Sequence, residues 1–207
     1  MKIKTIIFDF DGTIADTLEA IIKLFNQFSE EFALPKIGLT DKTELRNLSA
    51  KELMAEYKMP AWKFLKLNQK ILTNLKKDIT KLEPINGIKE LLIELKKKNF
   101  QLGILSSNQK ENIQLFLDQH QFEVDFIYSE KNLFGKDKVL KHLVKKHRLN
   151  KDEVIYVGDE VRDIEASQKA GIKVLAVNWG FNSIERLKKA KPDYIITDPK
   201  EILEKVK

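Results

Sequence analysis

Two carboxylates two positions apart, Asp9 and Asp11, stand at the end of a short apolar run, Ile6-Ile7-Phe8-Asp9-Phe10-Asp11-Gly12-Thr13. Side chains alternate along an extended backbone, so both acids point to one side and Phe10 to the other. Gly12 marks where the strand gives way to a turn. Holding two ionised carboxylates side by side in a protein interior is costly unless a cation or a shared proton compensates. An Asp-Gly pair also makes an ordinary turn, and the octet alone leaves both readings open. Two later runs end the same way. Gln101-Leu102-Gly103-Ile104-Leu105 runs into Ser106-Ser107-Asn108, and Val154-Ile155-Tyr156-Val157 runs into Gly158-Asp159-Glu160-Val161-Arg162-Asp163. Between them lies Phe134-Gly135-Lys136. Each strand delivers polar groups at its C-terminal end, where open α/β sheets bind their ligands.

An acid pair on a first strand, a serine on a second, a lysine, then Gly-Asp-x-x-x-Asp, in that order, resembles the four-part signature of the haloacid dehalogenase-like hydrolase superfamily. The resemblance covers roughly residues 1–14 and 83–197. Its phosphatase branch implies Asp9 as nucleophile and Asp11 as general acid for the leaving oxygen, then as base for water. Ser106 and Lys136 would bind the phosphoryl oxygens, a hydroxyl and a point charge where negative charge is spread. Mg²⁺ would sit on Asp9, the backbone carbonyl of Asp11, and Asp159, with Asp163 behind them orienting ligand water or the lysine. The dehalogenase branch lacks the second acid and needs no metal, so Asp11 with Asp159 and Asp163 argues for phosphoryl transfer. Ser106 competes with the adjacent Ser107, and Lys136 with Lys138. Position at the end of the apolar run favours Ser106; Gly135 before and a helix after favour Lys136.

The elements that must position these groups follow from periodicity. After Thr13, apolar residues Leu18, Ile21, Ile22, Phe25, Phe28 and Phe32 recur at spacings of three and four, predicting an amphipathic helix of about four turns. Ala33-Leu34-Pro35 breaks it, a polar segment runs from Asp41 to Leu48, and Ser49 with Glu52 forms a capping box for a helix through Tyr57. A longer helix runs from Ala61 to about Lys77. That is too much chain for a simple strand-to-strand crossover. Residues 15–82 are therefore expected to be an inserted all-helical cap, and residues 1–14 with 83–207 the core. From Pro84 onward helices (from Ile88, Lys110, Asp137, Asp163 and Ile184) alternate with strands (through Leu105, Ile127, Val157, Leu175 and Ile195). That alternation predicts α/β architecture, a Rossmann-like parallel sheet of right-handed crossovers. The insert after the first motif is similar to that of the phosphoglycolate phosphatase and β-phosphoglucomutase group. Specificity would rest with it. Arg46, whose guanidinium can pair bidentately with an anion, is the foremost candidate substrate contact, with Ser107 and Asn108 beside the phosphoryl site.

At 207 residues, 43% apolar and 33% charged, the chain has the composition of a globular domain with a small insert. The net charge of +6 permits attraction to phosphorylated metabolites. The lysines are scattered through helical stretches, and no nucleic-acid motif accompanies them. Cysteine is absent, which excludes disulfides, thiolate zinc sites and a cysteine nucleophile. His120, His142 and His147 show no ligand spacing, and no Gly-x-Gly-x-x-Gly or P-loop appears. Met1-Lys2 leads straight into an acid-bearing strand, unlike a signal peptide, and no apolar run is long enough to span a bilayer. The expectation is a cytoplasmic Mg²⁺-dependent phosphatase of a small phosphate monoester, a monomer or weak homodimer without nucleic-acid or membrane partners. The alternatives are a phosphomutase and a non-catalytic phosphate-binding protein.

Overall fold

The computed structural model describes residues 2–38, 46–47, 50–129 and 135–207. Ser49 of the capping box, Phe134 and most of the polar segment at 41–48 lie outside the described residues. Six strands form one parallel sheet: β1 (Thr5–Phe8), β2 (Gln101–Ser106), β3 (Phe126–Ser129), β4 (Val154–Gly158), β5 (Lys173–Val177) and β6 (Tyr194–Ile196), in the order β3-β2-β1-β4-β5-β6. Such a sheet is covered on both faces, and its inner strands therefore read as apolar runs without alternation. All four residues of β1 are buried.

Between β1 and β2 the chain forms α1 (Leu18–Phe28), α2 (Ala50–Glu56), α3 (Ala61–Leu75) and a short 3₁₀ turn at Ile79–Lys81. The chain leaves and returns side by side: Asp16 N–H donates to Glu83 O (3.0 Å) and Ile85 N–H to Ile14 O (2.9 Å). Phe28, Phe32, Leu34, Met59, Leu67 and Ile71 make a buried cluster of their own there. α1 is about a turn shorter than its period suggested. Phe32 keeps the apolar spacing and is buried, but the backbone has already turned, with Ala33 at φ 47°.

After β1 and this block come α4 (Ile88–Lys97), α5 (Lys110–His120), α6 (Lys136–Lys146), α7 (Val161–Ala170), α8 (Ile184–Lys189) and α9 (Glu201–Lys205). Alternation in β1 sends Ile6 and Phe8 to one face, into a cluster with Leu91, Leu95, Ile113 and Phe116 of α4 and α5. Ile7 goes to the other, against Leu140 and Leu143 of α6 and Ile164 of α7. Each fully buried Phe, Leu or Ile contributes about 1.5–3 kcal/mol, so the sheet interior fixes the frame on which the polar strand ends sit. The C-terminal α9 was not foreseen; at five residues it is too short to show a period. No described helix is long and apolar enough to cross a membrane.

Candidate active site

Strand register brings the polar ends together. Phe8 pairs with Ile104 of β2 on one side and with Val157 of β4 on the other. Asp9 continues the ladder, its N–H donating to Val157 O at 2.8 Å. It therefore emerges between the ends of β2 and β4, with Ser106 to one side and Asp159 to the other. Asp9, Ser106, Asp159 and Asp163 are all almost wholly buried, and Lys136, at the start of α6, is 6% exposed.

Lys136 Nζ bridges two of these acids, 3.0 Å from Asp9 Oδ2 and 2.5 Å from Asp163 Oδ1. Asp9 Oδ1 accepts the N–H of Phe10 (2.8 Å). Asp163 Oδ2 accepts the N–H of Glu160 (3.1 Å), closing a capping box at the start of α7. Carboxylate oxygens of Asp9, Asp159 and Asp163 lie within 4.8 Å of one another. Burial, then the charges of Glu160, Asp163 and Asp9, hold the Asp159 carboxyl well above the usual carboxylate range. Burial also raises Asp9, although the Lys136 ammonium opposes it. Burial pulls the Lys136 ammonium down, but Asp163 and Asp9 outweigh it, and its pKa rises. These are hard oxygen donors carrying more negative charge than Lys136 offsets, a set that fits a small divalent cation. Asp163, expected behind the ligands, has its carboxylate in the same group as Asp9 and Asp159.

Asp11 sits beside them, half-buried. Burial, then the charge of Asp9, push its pKa up to about 7, while hydrogen bonds from Asn108 pull the other way. Asn108, expected against substrate, spends its side chain within the protein. Its Nδ2 is 3.0 Å from both Asp11 oxygens, and its Oδ1 accepts from Gln109 N–H and Asn112 Nδ2. Ser106 Oγ accepts the N–H of Asn108 at 3.1 Å. Ser107 is less buried and borders a cavity of about 200 Å³ that lies between the sheet end and helices α1–α3. Arg46 borders it too. Its Nη2 donates to the carbonyls of Asn178 and Asn182, so the contact it makes here is with the core.

Several participants escaped the sequence reading. Thr13 Oγ1 donates to Asp159 Oδ1 (2.8 Å) and the N–H of Phe181 to Asp159 Oδ2 (2.6 Å), so one hydroxyl and one backbone amide clasp this acid. Gly12 (φ +72°) and Gly180 are pressed onto the same carboxylate: a Cβ would come within 2.5 Å and 2.1 Å of Asp159 Oδ2. Trp179-Gly180-Phe181 serves this clasp, the Trp179 indole also donating to Thr13 O. Glu160 is half-buried and ion-paired with Arg162 at 2.5 Å.

A family model for haloacid dehalogenase-like hydrolases matches residues 6–177. The phosphoglycolate phosphatase of Synechococcus elongatus is 32% identical over 205 residues, spanning 98% of this chain and 97% of its own. Pyrophosphatase PpaX of Bacillus mycoides is 27% identical, spanning 98% and 96%. Among solved structures, a predicted phosphatase from Clostridium acetobutylicum superposes with a TM-score of 0.85 at 23% identity, over 100% of this chain and 99% of that one. At that identity the likeness is one of fold.

Proposed function

The chain belongs to the haloacid dehalogenase-like hydrolases, and we propose that it is a Mg²⁺-dependent phosphatase that hydrolyses a small phosphate monoester through a phosphorylated Asp9. The observation that carries this reading is the placement of two unlike carboxyls at one strand end. Asp9 touches the Lys136 ammonium, whereas Asp11, two residues on, has its pKa pushed up to about 7. One is suited to attack and the other to hold a proton. Burial raises both acids, the Lys136 ammonium works against the rise at Asp9, and two carboxyls in unlike surroundings can divide nucleophile from acid.

In this reading a carboxylate oxygen of Asp9 attacks phosphorus, the P–O bond to the alcohol breaks, and the Asp11 proton goes to the departing oxygen. Asp11, now ionised, takes a proton from the water that cleaves the acyl-phosphate, and inorganic phosphate and free Asp9 result. Lys136 and the Ser106 hydroxyl hold the phosphoryl oxygens, with Ser107 beside them. Asp9 and Asp159, with the Asp11 carbonyl, would hold Mg²⁺, and Asp163 would fix Lys136. Bound Mg²⁺ would neutralise charge between phosphate and nucleophile. Residues 15–82 are the cap over this site. The test is release of inorganic phosphate by purified protein across a panel of phosphorylated compounds with Mg²⁺. Isomerised sugar phosphate in place of phosphate supports the mutase alternative, and no turnover supports a binding protein.

A further inference from the structure

Lys136 is held from three sides, and one of them is carbon. Its ammonium donates to Asp9 Oδ2 at 3.0 Å and to Asp163 Oδ1 at 2.5 Å. It also stands over the ring of Tyr156, 5.3 Å from the centroid. At that range the negative face of an aromatic ring attracts a cation, and the attraction strengthens when both partners are out of water. Here both are: Tyr156 is wholly buried and Lys136 nearly so. Tyr156 belongs to β4, in register with Ile7 of β1 and Val174 of β5. Its side chain packs with Ile7 and Leu105 on one face of the sheet, the face to which alternation along β1 also sends Asp9. The phenol reaches across β1 to β2, its O–H donating to Leu105 O at 3.1 Å. Leu105 lies one residue past Ile104, where the β1–β2 register ends, and one before Ser106. The ring is thus tied at one end to β4 and at the other to β2, across the strand that carries Asp9.

We propose that Tyr156 is a positioning residue for phosphoryl transfer, its ring keeping the Lys136 ammonium at the phosphoryl site and its hydroxyl keeping the ring in place. The proposal rests on the phosphatase reading above. In that reading an oxygen of Asp9 becomes bonded to phosphorus, so the contact between Asp9 and Lys136 changes during each turnover, and the ammonium turns an N–H towards the phosphoryl oxygens. Asp163 and the ring take no part in making or breaking bonds. The ring face attracts the charge as a whole rather than one N–H, so the ammonium can exchange hydrogen-bond partners without leaving its position. Packing alone would not require the hydroxyl. Ile155 and Val157, the neighbours of Tyr156 on β4, fill the sheet interior with carbon only.

The experiment compares wild type with Tyr156→Phe and with a protein carrying 3,4,5-trifluorophenylalanine at position 156. The two replacement rings have nearly the same shape, and fluorination withdraws the negative charge from the ring face. Two quantities are measured with Mg²⁺: kcat/KM for the compound of the phosphate-release panel that turns over fastest, and the inhibition constant of orthovanadate, which occupies a phosphoryl site. Tyr156→Phe, which keeps the ring face but loses the tether, is expected to lose about two- to threefold in each. The fluorinated protein is expected to lie about tenfold below Tyr156→Phe in kcat/KM and to bind vanadate about tenfold more weakly, as for loss of a desolvated cation–π contact. A smaller folded fraction lowers kcat but leaves the vanadate constant unchanged, so that constant separates positioning from packing. A fluorinated protein equal to Tyr156→Phe in either quantity overturns the inference while the phosphatase reading stands. No hydrolysis of any panel compound by the wild-type protein overturns both.

Discussion

Asn108 Nδ2 lies 3.0 Å from each carboxylate oxygen of Asp11. A single amide thus fixes the plane of the side chain that is to deliver a proton. Asn108 is itself fully buried and held by Gln109 and Asn112. Its removal should disturb proton transfer while leaving the nucleophile in place. Asn108→Ala is expected to lower kcat about 10–100-fold with little change in KM. The loss should be larger for an alkyl phosphate than for 4-nitrophenyl phosphate, whose leaving group needs no proton. Equal losses on both would detach Asn108 from the acid step.

Lys136 stands between Asp9 and Asp163 in a buried ion triad. Lys136→Met leaves two buried acids without their cation. The expected cost is about 3–5 kcal/mol of folding stability, read as a lower urea midpoint in EDTA. A midpoint equal to wild type would show that the ion pairs carry no stability.

Asp11 gives a pH signature for the metal-free protein. Its folded pKa of about 7 lies above the ordinary 3.8. Between these values the unfolded chain releases the proton and the folded chain keeps it. Stability is therefore full below the lower value and is lost as pH rises through the upper one. Asp11→Asn removes the penalty. In EDTA it is expected to raise stability by about 2–4 kcal/mol near pH 8, the gap closing near pH 4. Equal melting curves near pH 8 would contradict it.

The acid cluster of Asp9, Asp159 and Asp163 predicts that Mg²⁺ raises the Tm of the wild-type protein and that EDTA abolishes turnover. Mg²⁺ should restore activity and Ca²⁺ should restore it poorly, its coordination being larger and looser. Gly180→Ala is expected to lose most of the Tm rise, because the new Cβ would fall within 2.1 Å of Asp159 Oδ2. A full rise in this variant would place the metal away from Asp159.

Much of this was legible in the sequence because it depends on local chemistry. The apolar run before Asp9, the run before Ser106 and the Gly-Asp-x-x-x-Asp stretch each carry their own strand and turn signals. The sheet, formed of parallel strands, follows from their alternation with helices. Pairings across the fold were not legible. Nothing at position 108 announces that its amide faces Asp11, since that contact arises from the β1–β2 register. The clasp of Thr13 and Phe181 on Asp159 joins segments 146 and 22 residues apart. The contacts of Arg46 Nη2 with Asn178 and Asn182 were not legible either, because these partners are backbone carbonyls, which side-chain patterns cannot show.

The central claim is that Asp9 becomes phosphorylated, and the most direct test is to trap it. Enzyme turning over a phosphate monoester with Mg²⁺ is quenched in acid, reduced with borohydride and digested for mass spectrometry. Reduction converts an aspartyl-phosphate, but not a free aspartate, to homoserine. Homoserine is expected at position 9 only, absent without substrate and absent in Asp9→Asn. Phosphate release at full rate with Asp9 unmodified, or modification at another residue, would contradict it.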